Sequence, residues 1–283
     1  MPPYRIKTMD RHELDLAIDW AAAEGWNPGL YDGDCFYAAD PQGFWVGMLG
    51  DEAIASISVV KYDDSFGFLG FYMVKPEFRG LGYGFQLWQA GLAYLQGCNI
   101  GLDGVVAQQQ NYLKSGFQLA YRNIRFQGIS TGPEPTPFSA AIVPLASLPI
   151  STVIAYDRAC FPADRPAFLH GWLAQPESSG FGVMVHGDLA GYGVIRRCRA
   201  GYKIGPLFAD TPDFAEALFQ SLITQIPAGQ TFYLDVPEVN GAAIALADRH
   251  HLTRSFETAR MYTQAPPSLP LERIFGVTTF ELG

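Results

Sequence analysis

The sequence has 283 residues, a formal net charge of −9, 48% apolar residues and 17% charged residues. This length is comfortable for two domains, and the apolar content is sufficient for sizeable hydrophobic cores. The sequence contains no run of lysine or arginine. That argues against a nucleic-acid partner, because such affinity depends on clustered cations that neutralise phosphates. An acidic protein is compatible with a cationic substrate.

The cysteines and the longest uncharged segment indicate a reducing compartment and no membrane span. The four cysteines have no metal-ligand spacing, so we expect free thiols and no bound metal; they are Cys35, Cys98, Cys160 and Cys198. Residues 1–7 lack the apolar run of a signal peptide. Prolines interrupt the uncharged stretch 135–156, and proline breaks the helix that a membrane span requires. We therefore predict a cytoplasmic protein with no membrane partner.

A segment rich in Pro, Gly, Ser and Thr divides the chain near its middle. Residues 128–137 read GISTGPEPTP, a composition that continues neither a helix nor a strand. We predict a first domain over residues 1–128, a linker over 129–140 and a second domain over 141–283.

The two halves carry the same succession of patterns, which indicates a duplication. Gly50-Asp51 and Gly187-Asp188 lie between apolar runs at an offset of 137 residues, and Gly-Asp is a hairpin-turn signal because both residues tolerate positive φ. Each half is predicted to contain a strand, a helix, a hairpin, a strand, a helix, a strand, a helix and a strand. This alternation predicts an α/β fold of the mixed, α+β type, in which two tandem domains each have a mixed twisted sheet flanked by helices.

A glycine-rich segment between a predicted strand and a predicted helix is the candidate ligand site. The strand candidate 69–74 is ended by Pro76, and the segment 79–84 follows, with the sequence RGLGYG. The helix is indicated by apolar residues at spacings of four and three, which are Leu81, Phe85, Trp88, Leu92 and Leu95. Bare glycine backbone and the free N–H groups at a helix start favour a pyrophosphate. A Rossmann turn would need G-x-G-x-x-G, and a Walker A loop would need Gly-Lys-Ser/Thr; neither pattern is present.

Two motifs in the first half resemble those of the GNAT superfamily of acyltransferases. Arg79-x-x-Gly82-x-Gly84 is similar to the acyl-CoA motif R/Q-x-x-G-x-G/A, and residues 112–117, YLKSGF, resemble the second motif, Y-x-x-x-G-F. The resemblance covers residues 3–127. Residues 17–21, 24–29 and 101–105 also resemble a two-domain bacterial GNAT subfamily, in which a second GNAT-like domain follows the first.

The resemblance implies a co-substrate, a reaction and a set of site residues. The co-substrate is acetyl-CoA or another acyl-CoA, and a primary amine of a small molecule or a peptide attacks its thioester directly. Tyr112 is the implied general acid that protonates the departing thiolate, and core packing is the alternative interpretation of this residue. The implied cofactor-binding residues are Met73 and Val74 for the pantetheine, and Arg79, Gly80, Leu81, Gly82, Tyr83 and Gly84 for the pyrophosphate.

Two other functions stay open at this point. A non-catalytic GNAT-fold module that senses or binds acyl-CoA would use the same glycine-rich segment, with Tyr112 as packing. A nucleotide-dependent enzyme would reuse the glycine-rich turn for a different phosphate. The oligomeric state is also open, with a homodimer as one alternative.

The sequence does not identify a general base. Asp103 follows a strand, but Asp235 has the equivalent place in the second half, so we predict that both residues cap helices. Asp32 and Asp34 lie in the predicted substrate loop after the first helix. We interpret them as solvated turn residues, with attraction of a cationic substrate as the alternative.

The second half lacks the residues that carry the acyl-CoA motif. Residues 205–216 correspond to the glycine-rich turn but have neither its arginine nor its glycine pair, and their acidic residues disfavour a pyrophosphate. Ala247 stands where the second motif would have a tyrosine. We predict a second GNAT-like domain without its own acyl-CoA site. His250-His251 lies at the end of a predicted helix, where the helix dipole favours a positive charge. Four arginines of this half are interpreted as solvated; they are Arg165, Arg196, Arg197 and Arg199.

Overall fold

The computed structural model describes residues 2–132 and 141–283, so most of the predicted linker lies outside the described residues. The strands of the first half are β1 (Tyr4–Thr8), β2 (Phe44–Leu49), β3 (Glu52–Lys61), β4 (Phe66–Val74), β5 (Asn99–Val105) and β6 (Gln118–Ile129). Its helices are α1 (Arg11–Ala23), α2 (Asp32–Ala39), α3 (Tyr83–Tyr94) and α4 (Gln109–Lys114).

The second half repeats this order and adds a short strand after it. Its strands are β7 (Ala141–Pro144), β8 (Ser178–Val185), β9 (Asp188–Arg197), β10 (Tyr202–Ala209), β11 (Thr231–Pro237), β12 (Thr253–Tyr262) and β13 (Ile274–Gly276). Its helices are α5 (Ile150–Asp157), α6 (Pro166–Leu173), α7 (Pro212–Ile223) and α8 (Gly241–Arg249). Two helices, rather than one, separate the first strand from the hairpin in each half.

The strands of the described residues form one continuous mixed sheet. Their order is β1-β2-β3-β4-β5-β12-β6-β11-β10-β9-β8-β7, and β13 pairs with β10. The β4–β5 and β10–β11 pairs are parallel. The predicted α/β fold, with a mixed sheet flanked by helices, is confirmed. Within residues 2–132 and 141–283, no helix combines the length and the apolar character that a bilayer crossing needs.

The last long strand of each half lies in the sheet of the other half. Strand β12 pairs with both β5 and β6, and β6 also pairs with β11. Each half therefore has five consecutive strands of its own, and the sixth strand beside them comes from the other half: β12 follows β5, and β6 follows β11. The order of elements along the chain does not reveal this exchange, because each half would have the same order of helices and strands if its last strand stayed in its own sheet.

Two buried ion pairs join the exchanged strands to their neighbours. Asp103 on β5 accepts hydrogen bonds from Arg260 on β12 at 2.6 and 3.0 Å, and Asp235 on β11 accepts hydrogen bonds from Arg125 on β6 at 2.7 and 2.8 Å. The prediction that the two aspartates cap helices is wrong, because both lie within strands beside an arginine. Burial alone would raise the pKa of Asp235, but the adjacent Arg125 holds that pKa below its ordinary value.

Charged residues near the junction of the halves are also buried where we predicted solvated side chains. Asp32 belongs to α2 rather than to a loop, and it accepts hydrogen bonds from Arg196 at 2.8 and 3.2 Å. Arg165 donates to Asp157 at 2.7 and 2.8 Å. Both arginines and Asp32 are buried, which a folded protein tolerates when charges are paired. Asp34, also in α2, is exposed.

The predicted hairpins and the state of the cysteines are confirmed. The β2–β3 hairpin turns at Gly50 and the β8–β9 hairpin at Gly187, both with positive φ. All four cysteines are free and buried.

Helix α3 begins at Tyr83, directly after Gly82, as the glycine-rich segment predicts. Its predicted apolar face is partly wrong. Leu81 precedes the helix, and both Leu81 and Phe85 are exposed, at 62% and 59%. The buried face of the helix is shifted relative to the predicted one and includes two glycines that lie close to the sheet; it consists of Gly84, Leu87, Trp88 and Gly91.

Candidate active site

A cleft opens in the sheet between β4 and β5, beside the glycine-rich turn. The two strands pair only as far as Leu69 and Leu102, and then diverge. A bulge in β4 accompanies the divergence, since Phe71 has a φ of +45° and the register with β3 shifts there. Residues 70–74 therefore have no neighbouring strand on one side, and their main-chain N–H and C=O groups on that side can form hydrogen bonds with a ligand. A cavity of about 910 Å³ occupies this cleft.

The glycine-rich turn forms part of the cavity wall. Gly80 and Gly82 have φ values of +77° and +86°, a left-handed conformation that glycine adopts without strain. Because α3 begins after Gly82, the first N–H groups of the helix lack intrahelical acceptors. At Gly84, a Cβ atom would lie 2.6 Å from Cγ2 of Val74 and 2.9 Å from the hydroxyl of Tyr72. Glycine at 84 thus keeps the helix start close to the end of β4, an arrangement that fits a diphosphate.

Arg79 lies at the rim of the cavity, between β4 and α3. Its Nε donates to the carbonyl of Val74 at 2.8 Å, and its Nη2 pairs with Glu24 at 2.7 Å. Both side chains of the ion pair are about half exposed. Such a pair adds little stability in water, so the guanidinium is available to a phosphate at low cost.

The cavity brings together six of the eight predicted cofactor-binding residues, which are Met73, Val74, Arg79, Gly80, Gly82 and Gly84. Leu81 is directed to solvent, and the ring of Tyr83 lies 4.8 Å from that of Tyr4. Neither Leu81 nor Tyr83 is part of the lining, so these two residues can serve a ligand only through the main chain.

Tyr112, on α4, also lines the cavity. Its ring is buried and stacks on that of Trp88 with 5.7 Å between centroids. Gly104 on β5 leaves room for the ring, since a Cβ at this position would collide with it. Burial, and to a smaller extent the nearby Tyr72, raises the pKa of Tyr112 to about 12. The phenol is therefore protonated at neutral pH, the state that a proton donor requires.

Part of the cavity wall comes from residues that the sequence analysis did not identify. Trp26 follows α1, Phe256 and Thr258 belong to β12, and Phe280 and Glu281 follow β13. Four of these five residues come from the second half, partly through the strand exchange. No local pattern marked the four residues of the second half, because local patterns do not show which distant segments become neighbours.

The corresponding cleft of the second half is filled by protein. Strands β10 and β11 pair only as far as Ile204 and Leu234. Strand β13 occupies the gap that follows, where it pairs with β10, and the N–H of Val277 donates to the carbonyl of Asp235 on β11 at 2.8 Å. The chain then continues into the cavity of the first half. The same segment thus closes one cleft and forms a wall of the other.

Across residues 2–132 and 141–283, no group of three or more His, Cys, Asp or Glu side chains is arranged to hold a metal ion.

Both halves match acetyltransferase families. Residues 11–117 match the family described as Acetyltransferase (GNAT) family, and residues 153–276 match the one described as Acetyltransferase (GNAT) domain. Holothin acyltransferase of Pseudoalteromonas sp. (strain SANK 73390) is 31% identical over 277 residues, which cover 98% of this chain and 94% of that protein.

Solved structures share the arrangement of the whole chain. A putative acetyltransferase from Pyrococcus horikoshii superposes with a TM-score of 0.83 at 19% identity, over 99% of this chain and 96% of that one. A tandem GNAT protein from the clavulanic acid biosynthesis pathway superposes with a TM-score of 0.65 at 13% identity, over 94% and 100% of the two chains. These two likenesses concern the fold alone. The two family matches and the relative that is 31% identical over nearly the whole chain establish that the chain belongs to the GNAT superfamily of acyltransferases and contains two GNAT domains in tandem.

Proposed function

We propose that the chain transfers an acyl group from acyl-CoA to the primary amine of a small molecule, with acetyl-CoA as the first donor to test. The observation that carries the proposal is a single cavity lined by the glycine-rich turn, the diverging end of β4 and Tyr112. The aromatic wall that the second half adds to this cavity favours a small acceptor over a folded protein.

The first half, residues 1–128, would bind the acyl-CoA. The free N–H groups at the start of α3 and the guanidinium of Arg79 are suited to the diphosphate. The main chain of Met73 and Val74 is suited to the pantetheine, which would lie along β4 as an added strand does. Since β13 fills the second cleft, we expect one acyl-CoA per chain, and residues 141–283 would supply a strand and a wall.

The reaction requires no covalent enzyme intermediate. The amine nitrogen attacks the thioester carbonyl, the new C–N bond forms, and the C–S bond breaks as Tyr112 gives its proton to the departing sulfur. A main-chain N–H near Val74 is the candidate donor to the oxyanion, a type of contact worth about 3 kcal/mol in other enzymes. The products are an amide and the thiol of CoA.

The name of the full-length relative suggests the first acceptor to test. That protein is called holothin acyltransferase, so holothin belongs in an acceptor panel with benzylamine, 2-phenylethylamine, spermidine and a lysine-containing tripeptide. The free thiol released from acetyl-CoA measures turnover. We expect release that depends on a small amine, and thermal stabilisation of the protein by CoA alone. Absence of turnover with every amine, in a protein that CoA still stabilises, would favour a binding module over an enzyme.

Replacing Gly84 with alanine is expected to weaken CoA binding by about tenfold or more, which corresponds to at least about 1.4 kcal/mol. The added Cβ meets the branched side chain of Val74 on a strand that is paired on its other side, so α3 must move away from β4. Calorimetric titration with CoA checks this result.

Gly241→Ala is the matched control, because Gly241 also begins a helix, has no positive φ, and has no atom within 4 Å of the added Cβ. CoA affinity in this control should equal that of the wild type. Equal affinities in all three proteins would show that the approach of α3 to β4 does not matter for binding.

A further inference from the structure

Three carboxylates line the acyl-transfer cavity, and arginine already engages two of them. Glu24 pairs with Arg79 at the rim. Asp103 accepts hydrogen bonds from Arg260 through both of its oxygens, and it holds the exchanged strand β12 in place. The third carboxylate belongs to Glu281, for which no ion pair is formed within residues 2–132 and 141–283.

Contacts with its own segment and with β4 hold Glu281 in place. One carboxylate oxygen accepts a hydrogen bond from the hydroxyl of Thr279, and the oxygen of that hydroxyl accepts from the main-chain N–H of Glu281 at 2.9 Å. The main-chain carbonyl of Glu281 lies against Gly70, where a Cβ would collide with it. Residue 281 is therefore fixed beside β4 at the point where β4 diverges from β5, and the second carboxylate oxygen is left for another partner.

Buried cations on β6, β9 and β10 lie near this carboxylate. Arg125 on β6, Arg196 on β9 and Lys203 on β10 are each close enough to Glu281 to interact electrostatically. Arg125 and Arg196 are already paired with aspartates, and the Nζ of Lys203 has no hydrogen-bond partner in the described part of the chain. The other titratable groups that line the cavity are Glu24, Tyr72, Arg79, Asp103, Tyr112 and Lys114.

We propose that Glu281 binds the amine of the acceptor and receives its proton during acyl transfer. Of the three cavity carboxylates, it is the one that pairs with no arginine within the described residues, and it comes from the same wall as Phe256 and Phe280. This inference rests on the proposed function, because it assigns a residue to the same reaction.

The proton balance of the step is complete without a further reactant. A primary alkylamine has a pKa of about 10.4 and enters mainly as the ammonium ion. One proton passes from nitrogen to Glu281 before or as the C–N bond forms, and Tyr112 protonates the sulfur as the C–S bond breaks. The amide nitrogen loses its second proton to solvent, Glu281 releases its proton, and Tyr112 regains one. The net products are an amide, the thiol of CoA and one proton.

Glu281→Gln tests the proposal, because glutamine keeps the shape of the side chain but cannot take a proton. With the best alkylamine acceptor of the panel, we expect kcat/KM for the amine to fall by about 100-fold at pH 7, with the KM for acetyl-CoA unchanged. The deficit should shrink as pH rises toward the pKa of the amine, since solvent then supplies the deprotonated nucleophile. Glu281→Asp, which keeps a carboxylate, should recover part of the turnover and the pH profile of the wild type.

Glu257→Gln is the matched control, since Glu257 is an exposed residue of β12 outside the cavity. It should leave both kinetic constants and the pH profile unchanged. A deficit in Glu281→Gln that is the same at every pH, or the absence of a deficit, would overturn the role of Glu281. If Glu281→Gln is unstable, Glu281→Ala decides: added formate should restore part of its turnover if residue 281 accepts a proton, and the absence of any rescue would overturn the role. Failure of the wild type to acylate any amine would instead overturn the proposed function.

Discussion

Replacing Tyr112 with phenylalanine is expected to lower kcat by about 100-fold or more, while the Kd for CoA stays unchanged. The ring stacks on Trp88 and fits over Gly104, so the variant keeps the packing of the cavity wall. Only the hydroxyl is lost, and with it the proton that the departing thiolate would take. Thiol release at saturating amine and acetyl-CoA measures the first quantity, and calorimetry measures the second.

Tyr37→Phe provides the comparison, because Tyr37 is a half-buried tyrosine of α2 that does not line the cavity. Its turnover should equal that of the wild type. If Tyr112→Phe turns over at the wild-type rate, or if it loses CoA affinity to the same degree as turnover, Tyr112 is a packing residue and the general-acid assignment fails.

Replacing Asp235 with alanine is expected to cost about 3–5 kcal/mol of unfolding free energy, because it leaves the buried Arg125 without its partner. Arg196 and Lys203 also interact with Asp235, so its removal leaves more uncompensated positive charge in the cluster. For a protein of this size the loss corresponds to a fall in Tm of roughly 10 °C. Denaturant titration and calorimetry measure both quantities.

Asp248→Ala is the control for this variant, since Asp248 is an exposed residue of the adjacent helix α8. Its unfolding free energy should change by no more than about 0.5 kcal/mol. We also expect both halves to melt in one transition, because β6 and β12 each lie in the sheet of the other half. Two separate transitions, or a loss below about 1 kcal/mol in Asp235→Ala, would contradict the role assigned to the strand exchange.

Local patterns in the sequence predicted what depends on local physics. Gly50 and Gly187 require positive φ at a hairpin turn, and both turns form where the Gly-Asp pairs indicate. Gly82 ends the loop before α3, so the candidate cradle for a phosphate could be located without a structure. These features need only neighbouring residues, and the sequence displays neighbouring residues directly.

The features that the sequence did not predict depend on contacts between distant segments. Asp103 and Asp235 look alike in sequence as residues after an apolar run, but the arginine that pairs with each lies on an exchanged strand. Asp32 looks like a turn residue until Arg196, from the other half, is beside it. Glu281 reaches the cavity only because β13 occupies the second cleft and directs the chain toward the first.

A crystal structure of the protein with CoA tests the central claim most directly. We predict one CoA per chain, with its diphosphate within hydrogen-bonding distance of main-chain N–H groups at the start of α3 and its pantetheine along residues 73–74 of β4. The thiol end should point into the part of the cavity between Tyr112 and Glu281. A diphosphate bound away from residues 79–84, or a CoA molecule in the second half with none in the first, would contradict the account.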